Sequence, residues 1–272
     1  MTPPIAYLQL TGENWSSCLL SSYAYLRHSW QTQWLGLAEV VQSCASFLQI
    51  NNLPSNSQER LLLDLALKVA MQIETEKCMG TETPEPHYHN RLHFADSLTA
   101  IALQCRLEAQ HSALSDTVWP AALLLIAVSH DLHHPGRINR YTSDIESASV
   151  NALLPLLASM NLNDVWIERI RTIILRSDFG LVKENHARIA GLPFQWNSDW
   201  ATVLLNEADI MASASAAFGP ALSRALAKEW EAIEFPPYAT VATETGRQQF
   251  LSNIQFSSYS ARTLSAGLLS PT

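Results

Sequence analysis

Two short stretches of the chain gather residues that hold metals and move protons. In "SHDLHHPGRIN" (129–139), His130, Asp131, His133 and His134 fall within five positions. In "PHYHNRLHFAD" (86–96), His87, His89 and His93 precede Asp96. Imidazole nitrogens and carboxylate oxygens together suit borderline and hard divalent cations. An adjacent His-Asp pair can serve two ions, because a carboxylate has two oxygens and can bridge. His89 and His93 are four positions apart, so a helix running through both would put them on one face. A further acidic ligand should come from a distant helix. "LLNEADIMAS" (204–213) offers Asp209 inside an otherwise apolar stretch, where an unpaired charge is costly.

The elements that must position these groups read as helices. The apolar run "WPAALLLIAV" (119–128) leads straight into His130, and Pro135-Gly136 is expected to stop that helix and open a loop. Apolar residues recur at helical spacing over 59–76, 91–110, 117–131, 143–160, 164–177, 199–214 and 216–232. Alternating β-branched runs and Asn-Gly or Asp-Gly turns are absent. The fold class is therefore all-α, a multi-helix domain with the histidine cluster between helices.

"NNLPSNS" (51–57) reads as a break between an N-terminal helical segment, residues 1–55, and the main domain, residues 56–272. The Trp-rich N-terminal segment suits either a cap folded onto the core or the interface of a homodimer. "TETPEPHYHN" (81–90) and "EFPPYATVATE" (234–244) read as irregular connections.

Composition removes several function classes. The net charge is −8 and no Lys/Arg-rich block occurs, which argues against a nucleic-acid partner. An anionic substrate would have to be met by a few residues or by metal ions. The 119–128 run is too short to span a bilayer, so no membrane role is expected. The N-terminus lacks a basic region before an apolar core and does not read as a signal peptide. Cys18, Cys44, Cys78 and Cys105 are scattered without a C-x-x-C, which suits free thiols in a reducing compartment. The expected location is the cytoplasm.

The ordered motifs carry a resemblance. "HDLHHPGRINRY" (130–141) resembles the signature of the class I 3′,5′-cyclic nucleotide phosphodiesterases, within the HD-domain metal-dependent phosphohydrolases. His130, Asp131, Leu132, His134, Gly136, Asn139 and Tyr141 meet its fixed positions. "YHNRLHFAD" (88–96) is similar to the family's Y-H-N-x-x-H-A-x-D element, with Phe94 in place of Ala. "IILRSDF" (173–179) is similar to a Thr-Asp segment, with Ser177 in place of Thr, and "EADI" carries the last metal aspartate. After Asp209 the family's D-L-S-N-P run is replaced by Ile210, Met211, Ala212 and Ser213. The family's base-gripping glutamine, three residues before a phenylalanine, is replaced by Asn253 ahead of Phe256.

The resemblance implies a two-metal site. His93, His130, Asp131 and Asp209 would hold the first ion, Zn²⁺, and Asp131 would bridge to a second, Mg²⁺ or Mn²⁺. A metal-bridging hydroxide would attack phosphorus, with His89 as general acid. His134 would hold metal-bound water, and Glu146, in "DIESA", would act from behind the metal ligands like the glutamate of the family's S-E-L-A element. Tyr88, Asn253 and Phe256 would contact substrate, and Asp96 and Ser177 would support the ligands from outside. The implied activity is hydrolysis of a 3′,5′-cyclic nucleotide to the 5′-monophosphate. The alternatives are a phosphohydrolase for another nucleotide or small phosphate ester, and a nucleotide-binding protein without turnover.

Overall fold

The computed structural model of the chain describes residues 7–8, 14–78 and 85–268; the tip of the 81–90 connection and the Cys78 side chain lie outside the described residues. Thirteen α-helices and no strand occur among the described residues, so the molecule is all-α. In chain order they are α1 (Trp15–Gln31), α2 (Leu37–Phe47), α3 (Gln58–Cys78), α4 (Arg91–Ser112), α5 (Val118–Ser129), α6 (Asp144–Ser159) and α7 (Asp164–Leu175). A single 3₁₀ turn (Phe179–Leu181) leads into α8 (Val182–Ile189). Then follow α9 (Ser198–Ala214), α10 (Gly219–Glu231), α11 (Tyr238–Val241), α12 (Glu244–Asn253) and α13 (Tyr259–Ser265).

Local chemistry sets the helix starts. Asn14, Asn90, Asn163 and Asn197 each accept backbone N–H groups of the first turn of α1, α4, α7 and α9. The apolar run that ends in α5 is buried at every residue from Trp119 to Ser129. This helix packs against α3, α4, α7 and α9, with α4 and α9 also against each other. Helix α5 thus has no solvent face to keep polar, which is why it reads as one continuous apolar block.

The N-terminal helices share this core. Leu19, Tyr23 and Leu26 of α1 and Val40, Val41 and Cys44 of α2 belong to the same buried cluster as Leu98, Leu124 and Leu204. A charged tie reinforces the packing: the Arg27 guanidinium donates to both oxygens of buried Asp96 on α4, at 2.9 and 2.8 Å. The same guanidinium lies over the Phe218 ring, 4.2 Å from its centroid.

The C-terminal helices are short and polar, and periodicity does not single them out. Arg247 of α12 fixes them to α9 by donating to the carbonyls of Ser213 and Ala214 at the end of that helix, and to that of Ser215, which also accepts the Gly219 N–H. The residue at 219 must be glycine for this to happen, since a Cβ there would lie 2.2 Å from an Arg247 nitrogen. Among the described residues, no helix is long and apolar enough to cross a membrane.

Candidate metal centre

Three helices deliver the histidine–aspartate cluster. His93 sits in the first turn of α4, His130 and Asp131 follow the last residue of α5, and Asp209 lies on α9. One ligand atom from each of the four residues lies within 4.8 Å of the others. His93 Nε2 is 2.8 Å from Asp209 Oδ1 and 3.4 Å from Asp131 Oδ2. His130 Nε2 is 3.3 Å from Asp131 Oδ2 and 3.4 Å from Asp209 Oδ1.

Two details indicate what these atoms are for. His130 Nδ1 lies 2.9 Å from the Ala127 carbonyl, so Nδ1 carries the proton there and Nε2 presents a lone pair in the neutral ring. His93 Nε2 is buried and makes no hydrogen bond of acceptable angle, despite two carboxylates close by. A buried nitrogen left unaligned among carboxylates suits a shared cation between them.

The electrostatics agree. Burial alone would lower His93, but the nearby carboxylates of Asp131 and Asp209 outweigh it and lift the imidazole to about 9. Burial also opposes the charged form of His130, and the same two carboxylates raise it well above its ordinary value. Asp131 and Asp209 are held well below the usual carboxylate range against their burial, chiefly by His130 and His93. The carboxylates thus demand positive charge, which two imidazole protons or one divalent cation can supply. The donor set of two imidazole nitrogens and two carboxylates fits such an ion.

A second group lies beside the first. His89, His134 and Glu229 also bring ligand-type atoms within 4.8 Å of one another. His89 does not share a helix with His93, as the four-residue spacing suggests. Asn90 caps α4 through its side chain and adopts an extended backbone, so His89 falls just outside the helix. The two rings still stand 5.6 Å apart.

Glu229 on α10 holds His89 in place. One oxygen contacts His89 Nδ1, and the other accepts the backbone N–H groups of Tyr88 at 2.8 Å and His89 at 3.1 Å. Burial would raise Glu229, but the bond to His89 and that ring's charge bring it down to about 2. Nothing in "LAKEWEA" marks this glutamate among its charged neighbours; only the packing of α10 onto the 85–90 connection reveals it.

The loop after α5 also differs from expectation. The helix ends at Ser129, ahead of Pro135-Gly136, and a turn carries the chain through His133 in a left-handed conformation, φ 61°. Bonds from Leu132 N–H to Ser129 O and from His134 N–H to Asp131 O form that turn. Gly136 is needed where it stands: its φ is +68°, and a Cβ would lie 3.2 Å from Glu229 Cγ. Its N–H donates to His134 Nδ1 at 3.1 Å. His133 is exposed and pairs with Glu76 at 3.1 Å.

The remaining expected residues are distributed as follows. Glu146 is buried, accepts both contacts of the Asn139 amide at 2.9 and 3.2 Å, and is raised by burial to about 7. Both oxygens of Asp96 accept from Arg27. The Tyr88 ring lies 5.0 Å from the His93 ring, but its hydroxyl pairs with Ser213 at 2.8 Å. Ser177 donates to the Ile174 carbonyl at 2.7 Å and closes the end of α7, while neighbouring Asp178 accepts from Ser143 N–H and Gly180 N–H. Asn253 is exposed and bonds back to the Gln249 carbonyl of its own helix. Phe256 lines a different cleft, which none of the four clustered ligands enters.

No protein-family model matches the chain, and no curated protein matches it.

Proposed function

We propose that the protein is a metal-dependent phosphohydrolase that cleaves a phosphodiester, with a 3′,5′-cyclic nucleotide as substrate and the 5′-monophosphate as product. One observation carries this reading: a four-residue cation site and a glutamate-held histidine lie side by side, with the His89 and His93 rings 5.6 Å apart. The resemblance of residues 88–96 and 130–141 to the phosphodiesterase motifs supplies the substrate class.

Divalent ions held by His93, His130, Asp131 and Asp209 would draw phosphoryl oxygens and lower the pKa of an attacking water. The chain's own groups do the rest. With Nδ1 facing Glu229, His89 has Nε2 left to give a proton to the leaving sugar oxygen. Hydrolysis then places the water oxygen on phosphorus and a proton on the departing hydroxyl. His134 keeps Nδ1 for the Gly136 N–H, so its Nε2–H is a donor for an oxygen in the pocket. Asn139 orients Glu146 as an acceptor for water. The narrow pocket beside His89 is lined by Ile73, Pro86, Phe94, Asp131 and His134.

The placement of Asn253 and Phe256 away from this pocket favours a second reading, a phosphohydrolase for another nucleotide or small phosphate ester. A panel of cAMP, cGMP, cyclic dinucleotides and nucleoside monophosphates, with Mn²⁺ or Mg²⁺ added, separates the two. Release of a 5′-monophosphate from a cyclic nucleotide supports the first. Cleavage of monoesters alone sinks it and selects the second.

A further inference from the structure

A cleft of about 570 Å³ opens at the far ends of α4 and α9 from the metal cluster. Its walls come from the end of α4, α8 and its connection to α9, the start of α9, and the α12–α13 connection with α13. It shares no residue with the cluster. Along α9, Trp200 in its wall and Asp209 are separated by roughly 13 Å of helix; along α4, Glu108 and His93 are separated by roughly 20 Å.

Three observations bear on what the cleft holds. Its volume and its apolar and aromatic walls, with Phe194, Trp200 and Phe256, belong to the class of small-ligand pockets. Next, His186 lines the cleft, is 1% exposed, and has an Nε2 with no hydrogen-bond partner. Its Nδ1 is 2.7 Å from Ser257 Oγ, which already accepts from Gln255 at 3.3 Å. When the Ser257 hydroxyl donates to Nδ1, the ring proton sits on Nε2, facing no acceptor. An unpaired buried donor costs about 1–3 kcal/mol, which a ligand acceptor would offset.

Charge is the last of the three. Arg262 stands exposed at the rim, donates to the Ser257 carbonyl, and has no carboxylate partner among the described residues. Glu108 also lines the cleft, but it is buried and accepts the Ser260 N–H at 2.7 Å. Beside Arg262, the rings of His111 and Tyr259 stack 3.6 Å apart and 8° from parallel, a flat edge on which another ring can continue.

We infer that this cleft binds a planar aromatic anion. An acceptor on the ring would pair with His186, and the acidic group would meet Arg262. A nucleotide and an aromatic carboxylate share that chemistry. The inference does not depend on the phosphohydrolase reading.

Calorimetric titration of the full chain with 5′-AMP, and separately with indole-3-carboxylate, tests it, with excess EDTA present to keep metals out. The expected result is saturable one-site binding of at least one probe. Binding should weaken at least tenfold in Arg262→Glu and in Leu192→Asp, both exposed positions on the cleft, with Tm unchanged. Binding of 5′-AMP alone assigns a nucleotide; binding of indole-3-carboxylate, alone or as well, assigns the broader class. No binding of either probe at millimolar concentration overturns the inference. So does binding that survives both substitutions, or that disappears in His130→Ala, since it would then belong elsewhere.

Discussion

His89 and His134 stack face to face, their ring centroids 3.7 Å apart and their planes 24° from parallel. Each ring has one nitrogen fixed from outside the stack, His89 by Glu229 and His134 by the Gly136 N–H. Burial first, and then the neighbouring His89, pushes His134 down to about 3, so it stays neutral at physiological pH. A neutral ring against one held by a carboxylate gives the pair two different roles despite identical chemistry.

Removing the proton donor should separate chemistry from metal binding. In His89→Ala, turnover of a phosphodiester substrate should fall by about 10²- to 10⁴-fold, the usual worth of a general acid. Metal content, measured by elemental analysis, should match that of the unaltered protein. Glu229→Gln should show a smaller loss in kcat and little change in KM. Wild-type turnover in Glu229→Gln would detach that residue from the reaction.

The clustered ligands predict metal-linked stability. Adding Zn²⁺ or Mn²⁺ to chelator-treated protein should raise Tm, because an ion at a hundred times its Kd stabilises the native state by about 2.7 kcal/mol. His130→Ala and Asp209→Ala should abolish the increase and the bound metal together. A full metal complement in either variant would rule out the ligand assignment.

Stability should also depend on pH through His186, which burial pushes down to about 4. Its unfolded value is near 6.5. Between these values the unfolded chain binds a proton that the folded chain does not. Stability should therefore be unaffected by this group above about pH 6.5 and should fall as pH drops toward 4. Urea unfolding of His186→Asn should give a flatter profile across that window; profiles that run parallel would contradict the assignment.

The buried ion pair makes an asymmetric prediction. Arg27→Ala leaves Asp96 charged and unpaired in the core and should destabilise by on the order of 3 kcal/mol. Arg27→Met with Asp96→Leu should recover most of that loss. Chemical denaturation of the single and double variants decides it, and equal losses would mean that charge pairing is not the cause.

Gly136→Ala probes the contact between the metal loop and α10. The left-handed backbone costs a non-glycine residue roughly 1–2 kcal/mol, and the added Cβ crowds Glu229. We expect a modest fall in Tm together with a loss in kcat that resembles that of Glu229→Gln. A fall in Tm with unchanged kcat would confine the glycine to a structural role.

The helical framework was legible because its periodicity is strong. The continuous apolar block before His130 signalled burial on every side, and Asp209 stood out as a charge in apolar surroundings. The clustering of His93, His130, Asp131 and Asp209 was readable for the same reason: their residue types are rare in such positions. Their exact mounting was not. Asn90 terminates α4 one residue after His89, and a cap outranks four-residue spacing in deciding which side chains share a face. Glu229 and Arg27 escaped notice because their partners lie far away in sequence, and an ordinary charged residue on an amphipathic helix carries no mark of a distant contact. Phe256 was expected to contact substrate beside the histidine cluster, but the turn after α12 carries it to another surface.

The Arg27–Asp96 pair also limits how the chain can be cut or rebuilt. A fragment that begins after α1 would leave a carboxylate stranded in the core, less than one helical turn from His93. Damage from such trimming would reach the His93 cluster through α4 even though none of its four residues had been removed. Helix α1 and Asp96 must therefore be kept, or replaced, together in any shortened or redesigned chain.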